Sequence, residues 1–320
     1  MDTTWDCIVV GAGAAGLSGA LVLGRARRRT LVVDGAAQSN RVAHGIGGLL
    51  GHDGRPPADF YAAGRRELEG YPAVELRFTE AVAAEHHDAG FAIELADGSR
   101  ELTRRVLIAT GMDYRFPALP GIAQRWGRSV FHCPFCHGWE VRDAPLAVLD
   151  RGAAGMQRAL LLRMWSDEVT LLADGPDELD AGDRDRLAAA GVTIDERRVG
   201  GLLGAGSELT AIAFADGGER EFGGLLVPVT LHQRSALAQQ LGAAVADPGH
   251  VVVDGLRVDA MFRTTVPALY AAGDVSAHMP SVANAVAAGS MVAATIVHDV
   301  MAEAHGLVPG GGRAESARAS

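Results

Sequence analysis

The chain has 320 residues, a formal net charge of -10 and an aromatic content of only 5%. This length is sufficient for two domains, and the charge argues against a nucleic-acid partner, because phosphate backbones are bound by clustered lysine and arginine. No uninterrupted apolar run approaches the roughly 18 residues of a spanning helix, and the first residues lack a signal-peptide pattern. We therefore expect a soluble, cytoplasmic α/β protein that does not contact membranes.

The first motif in chain order is a strand, a glycine-rich turn and a helix. The apolar run from Cys7 to Val10 predicts a buried strand, and Gly11, Gly13 and Gly16 follow it. A second strand ends on Asp34. Glycines at this spacing allow a tight turn and the close approach of a pyrophosphate, and an acid about twenty residues later can bind ribose hydroxyls. A glycine-rich turn without a ligand is the alternative, but the strand-turn-helix context favours a dinucleotide site.

A glycine-rich loop with several polar side chains follows, from Gln38 to Gly54. Long loops of this kind in compact domains are usually functional. Beyond the loop, alternating apolar residues around Asp97-Gly98 predict a β-hairpin, and the run from Val106 to Gly111 predicts another buried strand that ends in a tight turn. We place the first domain boundary near residue 115.

An internal repeat indicates two nucleotide-fold units. The pattern from Val9 to Asp34 recurs from Val148 to Asp174, with strand, helix and strand in the same order. The copies differ at one position, because Asp150 stands where the first copy has Gly11. A carboxylate there would repel a bound pyrophosphate, although Arg151 could offset part of its charge. No arginine follows the second strand to bind a 2′-phosphate.

The chain then returns to the first domain. The run from Leu269 predicts a strand that ends in Gly273-Asp274, directly before a helix from about Ser281 to His298. An acid at this position can bind a cofactor hydroxyl, and a loop carboxylate without a ligand is the alternative. The predicted first domain comprises residues 1–115 and 244–305, and the inserted domain comprises 116–243. Residues 306–320 are expected to be a disordered tail.

The middle of the chain carries the run Cys133-Pro134-Phe135-Cys136, with His132 and His137 on either side. A Cys-x-x-Cys pair can close a small disulfide, its thiolate attacks sulfur or flavin, and histidine moves protons near neutral pH. Half of a zinc site and a buried thiol pair are the alternatives. Zinc would need a second pair of ligands, which neither His86-His87 nor Cys7 supplies. We expect redox chemistry and no metal.

Four of these pieces stand in a fixed order: Gly11-x-Gly13-x-x-Gly16, Ala109-Thr110-Gly111, Cys133-x-x-Cys136 and Ala272-Gly273-Asp274. Together they resemble the low-molecular-weight thioredoxin reductase family of FAD-containing pyridine nucleotide-disulfide oxidoreductases. The resemblance covers residues 5 to about 300. It implies an α/β fold with two Rossmann-like, three-layer ββα domains, namely a discontinuous FAD domain and an inserted NAD(P)-binding-like domain that carries the cysteine pair. It also implies a homodimer.

The resemblance implies the residues of two sites. The catalytic residues that it implies are Cys133, Cys136, His137 and His132. The FAD-binding residues that it implies are Gly11, Gly13, Ala14, Ala15, Gly16, Asp34, Asn40, Arg41, His44, Val82, Ala109, Thr110, Gly111, Gly273, Asp274 and Val282.

The sequence departs from the reductase pattern in three places. His137 stands where the reductases usually have aspartate, the second glycine motif is broken at Asp150, and no arginine pair surrounds Asp174. With the segment Ser39-Asn40-Arg41 and the loop from His44 to Gly54, these departures look like the dithiol oxidases that close disulfides in small natural products such as gliotoxin and holomycin. Those enzymes use FAD and oxygen and have no working NADPH site.

The resemblance to these oxidases implies a mechanism. A thiolate of a small-molecule dithiol attacks Cys133, Cys136 passes the electrons to FAD, and O2 takes them and leaves as hydrogen peroxide. His137 is the favoured base because it holds the position of the acid-base aspartate, and His132 is the alternative.

Two other functions fit the same residues. One is an NADH- or NADPH-dependent disulfide reductase that acts on a thioredoxin-like protein. The other is a non-enzymatic flavoprotein that senses redox state. Phe135 and Trp139 either shape an apolar substrate pocket or belong to the core.

Overall fold

The computed structural model describes residues 4–88, 90–277 and 279–308, so residues 309–320 of the expected tail lie outside the described residues. The chain forms two compact units. The first comprises the described residues of Met1–Ser39, Ala58–Asp113 and Leu231–Ser320, and the second comprises Asn40–Pro57 and Tyr114–Thr230. This division differs from the predicted boundaries in two places: residues 40–57 belong to the second unit, and the chain returns to the first unit at 231 instead of 244.

The first unit contains a parallel and an antiparallel sheet. The parallel strands are β1 (Cys7–Val10), β2 (Thr30–Val33), β3 (Val74–Arg77), β7 (Val106–Ile108) and β18 (Leu269–Ala271), in the order β18-β7-β1-β2-β3. The antiparallel strands are β4 (Ala81–His87), β5 (Gly90–Leu95) and β6 (Arg100–Thr103). The helices are α1 (Ala14–Arg25), α2 (Pro57–Leu68), α7 (Leu237–Gln240) and α8 (Val282–Ala304), with a 3-10 turn at Asp274–Ser276.

The core of the first unit lies where α1 and α8 pack on the parallel sheet. Every residue of β1 and β2 is buried, which is why these strands read as unbroken apolar runs. The two helices approach closely because their contact residues are small. A Cβ atom on Gly289 of α8 would lie 2.1 Å from the carbonyl oxygen of Ala15 in α1. This crossing fixes the N-terminal turn of α1 against the sheet.

The second unit repeats this plan. Its parallel strands are β9 (Val130–Phe131), β10 (Leu146–Leu149), β11 (Val169–Leu172), β12 (Val192–Asp195) and β16 (Gly224–Leu226), in the order β12-β11-β10-β16-β9. Its antiparallel strands are β13 (Val199–Leu203), β14 (Ala211–Phe214) and β15 (Glu219–Glu221). Its helices are α3 (Ile122–Arg125), α4 (Pro134–His137), α5 (Gly152–Leu162) and α6 (Ala181–Ala189). The strands β8 (Met112–Arg115) and β17 (Thr230–Gln233) form a separate two-stranded sheet.

Both faces of the second parallel sheet are covered. Leu146 and Val148 of β10 pack in one cluster with residues of α5 and α6, whereas Ala147 packs in another cluster with residues of β13 and β14. Because side chains alternate along a strand, each face of β10 supplies one of these two cores. The unit therefore has three layers, as the sequence predicts.

One helix in the described part of the chain, α8, is long and apolar enough to cross a membrane, with a mean hydropathy of 1.5. Length and composition alone are weak evidence for a membrane-spanning helix, because core helices of soluble proteins satisfy the same test. In this protein 44% of the apolar window of α8 is buried, and the helix packs on α1. Its buried Asp299 also forms an ion pair. We therefore interpret α8 as a core helix.

A polar network anchors α8 to the strand β18. The carboxylate of Asp299 accepts two hydrogen bonds from the guanidinium group of Arg263, at 2.9 and 2.7 Å, and one from the hydroxyl of Tyr270 at 2.7 Å. Burial alone would raise the pKa of Asp299, but these hydrogen bonds outweigh it and lower the pKa below the ordinary 3.8. The network therefore stabilises the fold above this pH and weakens as the pH falls through the lowered value.

We expect Asp299→Asn to lower the free energy of unfolding by about 3 kcal/mol at pH 7, because the change leaves Arg263 without its counter-charge. Urea unfolding at a fixed flavin concentration, followed by fluorescence and circular dichroism, measures the difference. Asp259→Asn is the matched control. It removes the other carboxylate near Arg263, at 3.5 Å and half-exposed, and should cost less than about 0.5 kcal/mol. Equal losses of unfolding free energy in the two variants would contradict the role of Asp299 as the main partner of Arg263.

Candidate active site

The turn between β1 and α1 has no room for side chains at Gly11 and Gly16. Gly11 has a φ of 103°, and a Cβ atom on it would lie 2.4 Å from the carbonyl oxygen of Ala109. A Cβ atom on Gly16 would lie 1.8 Å from the carbonyl oxygen of Gly11. These glycines let the N-terminus of α1 meet the ends of β1 and β7, which is the geometry expected of a dinucleotide cradle.

The space beside this helix terminus fits a pyrophosphate. Gly13 is the N-cap residue of α1, and no side chain caps the helix there. No other atom lies within 4 Å of the position that a Cβ atom of Gly13 would take, as far as the described residues show. The N-terminus of α1 therefore has open space at Gly13, and a helix N-terminus favours an anion.

Asp34 is held in place at the end of β2. Its side chain is almost fully buried, and its carboxylate accepts hydrogen bonds from the backbone N–H of Ala36 at 3.0 Å and from Nε2 of Gln38 at 3.2 Å. Gln38 also donates to the carbonyl oxygen of Ala12 in the glycine turn, at 3.4 Å. Gln38 thus links the acid to the cradle. The sequence placed Gln38 in the loop but gave no signal for this role.

Most of the predicted cofactor residues lie in the first unit. Ala109, Thr110 and Gly111 follow β7, Asp274 begins the 3-10 turn after β18, and Val282 is the first residue of α8. A Cβ atom on Gly273 would lie 2.9 Å from the Cβ atom of Ala15, so the end of β18 meets the start of α1. Val82 lies on β4 and is 48% exposed.

Three predicted cofactor residues, Asn40, Arg41 and His44, lie in the second unit instead. Their segment packs near the cysteine pair, because a Cβ atom on Gly47 would lie 2.9 Å from the carbonyl oxygen of Cys136. The role of these residues in binding FAD stays a prediction.

Arg128 holds this loop against the segment before the cysteines. Its Nε atom donates to the carbonyl oxygen of Val42 at 2.9 Å, and its Nη1 atom lies 2.6 Å from Nδ1 of His44. The preceding Gly127 contacts the side chain of Val42 so closely that its own Cβ atom would lie 2.6 Å away. The sequence gave no signal for Arg128, because its partners lie more than eighty positions away in the chain.

Cys133 and Cys136 are joined by a disulfide, with their Cα atoms 5.3 Å apart. Cys133 is the N-cap residue of α4 and Cys136 lies within this helix, whose first residue is Pro134, a residue that suits the first helical position. The carbonyl oxygen of Cys133 accepts hydrogen bonds from the backbone N–H groups of Cys136 and His137, at 3.1 and 3.2 Å. Among the described residues, no group of three or more His, Cys, Asp or Glu side chains could hold a metal ion.

Cys7 takes no part in this chemistry. It is a free, fully buried thiol in β1, and burial raises its pKa to about 12. A thiol with this pKa remains protonated at neutral pH and is a poor nucleophile.

His137 is fixed in one orientation beside the disulfide. Its Nε2 atom lies 3.1 Å from the carbonyl oxygen of Gly127, so Nε2 carries the proton and donates. Its ring stacks on Phe131. The Nδ1 atom is buried and makes no hydrogen bond to the described residues. Burial lowers the pKa of His137, whereas Glu140 and hydrogen bonds to the backbone of Gly127 and Cys133 act in the opposite direction. The neutral ring therefore has its lone pair at Nδ1.

His132 lies between two aromatic rings and has a different character. The ring centroids of Tyr114 and Trp126 are 5.1 and 5.7 Å from the His132 ring. Burial lowers the pKa of His132 to about 4, and the charge of His137 acts in the same direction. His132 is therefore neutral and packed at physiological pH, which favours His137 over His132 as the base.

The second glycine turn carries a charged ion pair, and it leaves open space at Gly152, the counterpart of Gly13, as far as the described residues show. Asp150 forms an ion pair with Arg158 and accepts a hydrogen bond from the backbone N–H of Arg151 at 2.9 Å. The backbone N–H of Gly152, the first residue of α5, donates to the carbonyl oxygen of Asp177 at 2.8 Å. The charge of Asp150 is thus neutralised by Arg158, which the sequence gave no reason to select, whereas Arg151 contributes only its backbone N–H.

The side chain of Arg151 crosses to the end of β11. Its Nη2 atom donates to the carbonyl oxygen of Asp174 at 3.0 Å and lies 4.0 Å from that residue's carboxylate. Arg198 also approaches this carboxylate, at 3.9 Å. The arginine pair that the sequence lacks next to Asp174 is therefore present in space, but both members face the carboxylate of Asp174.

We expect Gly11→Ala to weaken binding of the predicted cofactor, FAD, by about tenfold to a hundredfold, because a side chain at this φ adds strain of about 1–3 kcal/mol and meets Ala109. Titration of the apoprotein with FAD, followed at 450 nm, measures the affinity. Gly13→Ala is the control for folding, because the protein leaves open space there, and its thermal unfolding should match the wild type. Wild-type FAD affinity in Gly11→Ala would contradict this cradle.

Comparisons with known proteins agree with this architecture. A profile of the pyridine nucleotide-disulphide oxidoreductase family matches residues 5–289. The chain is 30% identical over 314 residues to thioredoxin reductase tcpT of Claviceps purpurea, covering 94% of this chain and 96% of that protein. An oxidoreductase structure from Agrobacterium tumefaciens matches with a TM-score of 0.87 and 33% identity, covering 93% and 99% of the two chains. The structure of HlmI matches with a TM-score of 0.88 and 34% identity, covering 96% and 95%.

These matches confirm the fold class and the family that the sequence motifs indicate. The open glycine cradle and the buried acid of the first unit fit the FAD that thioredoxin reductase-like proteins bind. The chain therefore belongs to the pyridine nucleotide-disulphide oxidoreductase family, as a thioredoxin reductase-like flavoprotein that binds FAD.

Proposed function

We propose that the protein is an FAD-dependent dithiol oxidase, which closes a disulfide in a small-molecule dithiol and uses O2 as the electron acceptor, with H2O2 as the product. One observation carries the proposal: the two glycine turns of this chain have the same fold and different charge. Both leave open space at the corresponding glycine, Gly13 or Gly152, but the second turn carries an ion-paired Asp150 where the first has Gly11. A chain with an uncharged first turn and a carboxylate in the second is suited to FAD alone.

The charges at the second turn oppose a nicotinamide dinucleotide. Its pyrophosphate would have to displace the ion pair between Asp150 and Arg158, and would then face an unpaired carboxylate. It would also compete with the carbonyl group of Asp177 for the N–H of Gly152. Its ribose would have to displace the Arg151 side chain from Asp174. The first and the last of these displacements leave a charged group without its partner.

The proposed reaction is a thiol–disulfide exchange between the substrate dithiol and the Cys133–Cys136 disulfide. A substrate thiolate attacks Sγ of Cys133, which forms a mixed disulfide and releases Cys136 as a thiolate. The second substrate thiol then attacks the substrate sulfur of the mixed disulfide, which closes the product and releases Cys133. The substrate loses two electrons and two protons, and the cysteine pair gains them. FAD, when bound, supplies a two-electron acceptor that returns the pair to its disulfide and that O2 can reoxidise.

His137 supplies the base for the thiol steps. In the neutral ring the N–H at Nε2 is held by the carbonyl oxygen of Gly127, so the lone pair at Nδ1 is available to take a proton. Thiols have a pKa near 8.5 and are mostly protonated at neutral pH, so a base raises the fraction of the reactive form. The proton that Nδ1 takes can later be returned to a departing thiolate.

The rival from the same family is a reductase that takes electrons from NADH or NADPH and passes them to a thioredoxin-like protein. It is favoured by Arg151 and Arg198, which lie within 4.0 Å of the Asp174 carboxylate and would bind a 2′-phosphate if they turned away from it. A non-enzymatic redox sensor is the rival from another class. The choice of O2 and the homodimer rest on the resemblance, and the cytoplasmic location stays a prediction from the sequence.

Anaerobic mixing of the yellow protein with electron donors tests the proposal. We expect a small dithiol to bleach the flavin absorbance at 450 nm, and NADH and NADPH to leave it unchanged over the same time. Admission of air should then restore the colour and produce one H2O2 per dithiol oxidised. Cys136→Ser, which removes the disulfide, is the matched control and should not be bleached by the dithiol.

Each rival predicts a different result from this experiment. Rapid bleaching by a nicotinamide nucleotide would identify a reductase and contradict the oxidase. The absence of bleaching by any donor would favour the sensor.

A second prediction concerns the base. His137→Asn keeps an N–H donor for Gly127 but has no basic nitrogen, so we expect reduction by the dithiol to slow about 100-fold at pH 7. Above pH 9 the thiol ionises without help, so the difference should shrink to less than about tenfold. Burial lowers the pKa of His137 below the ordinary 6.5, so the ring takes up a proton only below that pH. The wild-type rate should fall further there, because a protonated ring cannot act as a base.

His132→Asn is the control for this series, since His132 is neutral across the same range. Its rate should stay within about threefold of the wild type at pH 7, because it contributes no proton transfer. A larger loss in His132→Asn than in His137→Asn would assign the base to His132 instead.

A further inference from the structure

Large apolar side chains are exposed on the turn that carries the disulfide. Phe135, between the two cysteines, is 69% exposed, and Trp139, directly after the turn, is 66% exposed. Met164 is 74% exposed and precedes Trp165, on which the turn rests. Exposed apolar groups clustered beside a reactive bond are typical of a recognition surface. The alternative that Phe135 and Trp139 belong to the core is wrong.

Phe135 and Trp139 share one face of the chain. They are four residues apart, and the intervening Gly138 keeps helical dihedral angles, with φ -62° and ψ -31°. Side chains at this spacing on a helical turn are neighbours. The two rings therefore lie on one face of the turn that contains Cys136.

The ring of Phe135 is held in position by packing underneath it. It contacts Trp165 edge-on, with ring centroids 5.4 Å apart and an interplanar angle of 84°. Gly138 sits so close to Trp165 that a Cβ atom would lie 2.9 Å from the indole ring. Trp165 thus supports the turn along its length. An exposed ring that is already ordered loses little entropy when a ligand stacks on it.

The ring of Trp139 is held by a cation. The guanidinium carbon of Arg142 lies 3.9 Å from the ring centroid, and Nη1 of Arg142 donates to the Trp139 carbonyl oxygen at 2.6 Å. One face of the indole is therefore covered, and its other face and edge remain for a ligand. The cation beside the ring favours a neutral or anionic ligand over a cationic one.

We propose that Phe135 and Trp139 form a platform that selects dithiols with a planar apolar face and places their sulfur atoms at Cys133. This inference rests on the proposed function, and it names the substrate class of the same site. The occupant is a small molecule, because Phe135 and Trp139, even together with Met164, expose only on the order of 400 Å². A specific protein partner needs about 800 Å² on each side.

The test compares two dithiols on the FAD-loaded enzyme by the rate of O2 consumption. The first, 1,2-benzenedimethanethiol, has a planar apolar face, and the second, dithiothreitol, has none. We expect Phe135→Ala and Trp139→Ala each to raise KM for the aromatic dithiol about tenfold, the loss of one aromatic contact. KM and kcat for dithiothreitol should change less than twofold. Phe135→Tyr and Trp139→Phe keep a ring and should restore the wild-type KM.

Met291→Ala is the matched control, because Met291 is 53% exposed but lies on α8 of the first unit. It should leave both dithiols unaffected. Equal losses for the two dithiols in Phe135→Ala would show that the ring acts on the disulfide itself and would overturn the platform. An increase in KM for reduced thioredoxin alone, without an effect on the aromatic dithiol, would identify a protein-docking surface and overturn it as well.

Failure of the proposed function gives a different result. In that case wild-type enzyme consumes no O2 with either dithiol and is bleached by NADPH. The same variants are then compared for NADPH-driven reduction of the two cyclic disulfides, and the same tenfold selectivity for the aromatic compound supports the platform. Wild-type KM values for the aromatic disulfide in both Phe135→Ala and Trp139→Ala would overturn the platform.

Discussion

The first unit depends on the close approach of backbone atoms around the N-terminus of α1. Gly11 lies against the end of β7, Gly16 lies against Gly11, and Gly289 of α8 lies against Ala15. Methyl groups at these positions would separate the helix from the sheet and from α8 together. The open helix terminus, where we expect FAD to bind, is therefore a consequence of packing, and the buried Asp34 is aligned with it through Gln38.

The second unit shows that the same turn can be kept while its chemistry changes. Asp150 replaces a glycine, yet the strand and helix on either side remain in register, because the carboxylate finds a cation on the following helix and an N–H in the turn. Fold and ligand are therefore separable in this family. Charge, more than shape, distinguishes the two turns, and charge gives the direction of electron flow that we propose.

Local patterns predicted much of the architecture. Both strand-turn-helix repeats, the cysteine pair and the broken second motif could be read from the sequence, since each depends on neighbours in the chain. The loop of residues 40–57 could not be assigned to the second unit from the sequence, because its position depends on Arg128 and Gly127, which are distant in sequence. The difference between His137 and His132 also required the structure, since burial and ring contacts set their pKa values.

The unit that carries the cysteines is built from two separate stretches of chain. The backbone passes from one unit to the other four times, at residues 39/40, 57/58, 113/114 and 230/231. A fragment of residues 114–230 would lack the loop that packs through Gly47 on the main chain of Cys136. The unit that carries the cysteines therefore could not be moved between proteins as a single segment of chain. Recombination would have to carry both stretches together, which ties the cysteine pair to the early part of the FAD-binding chain.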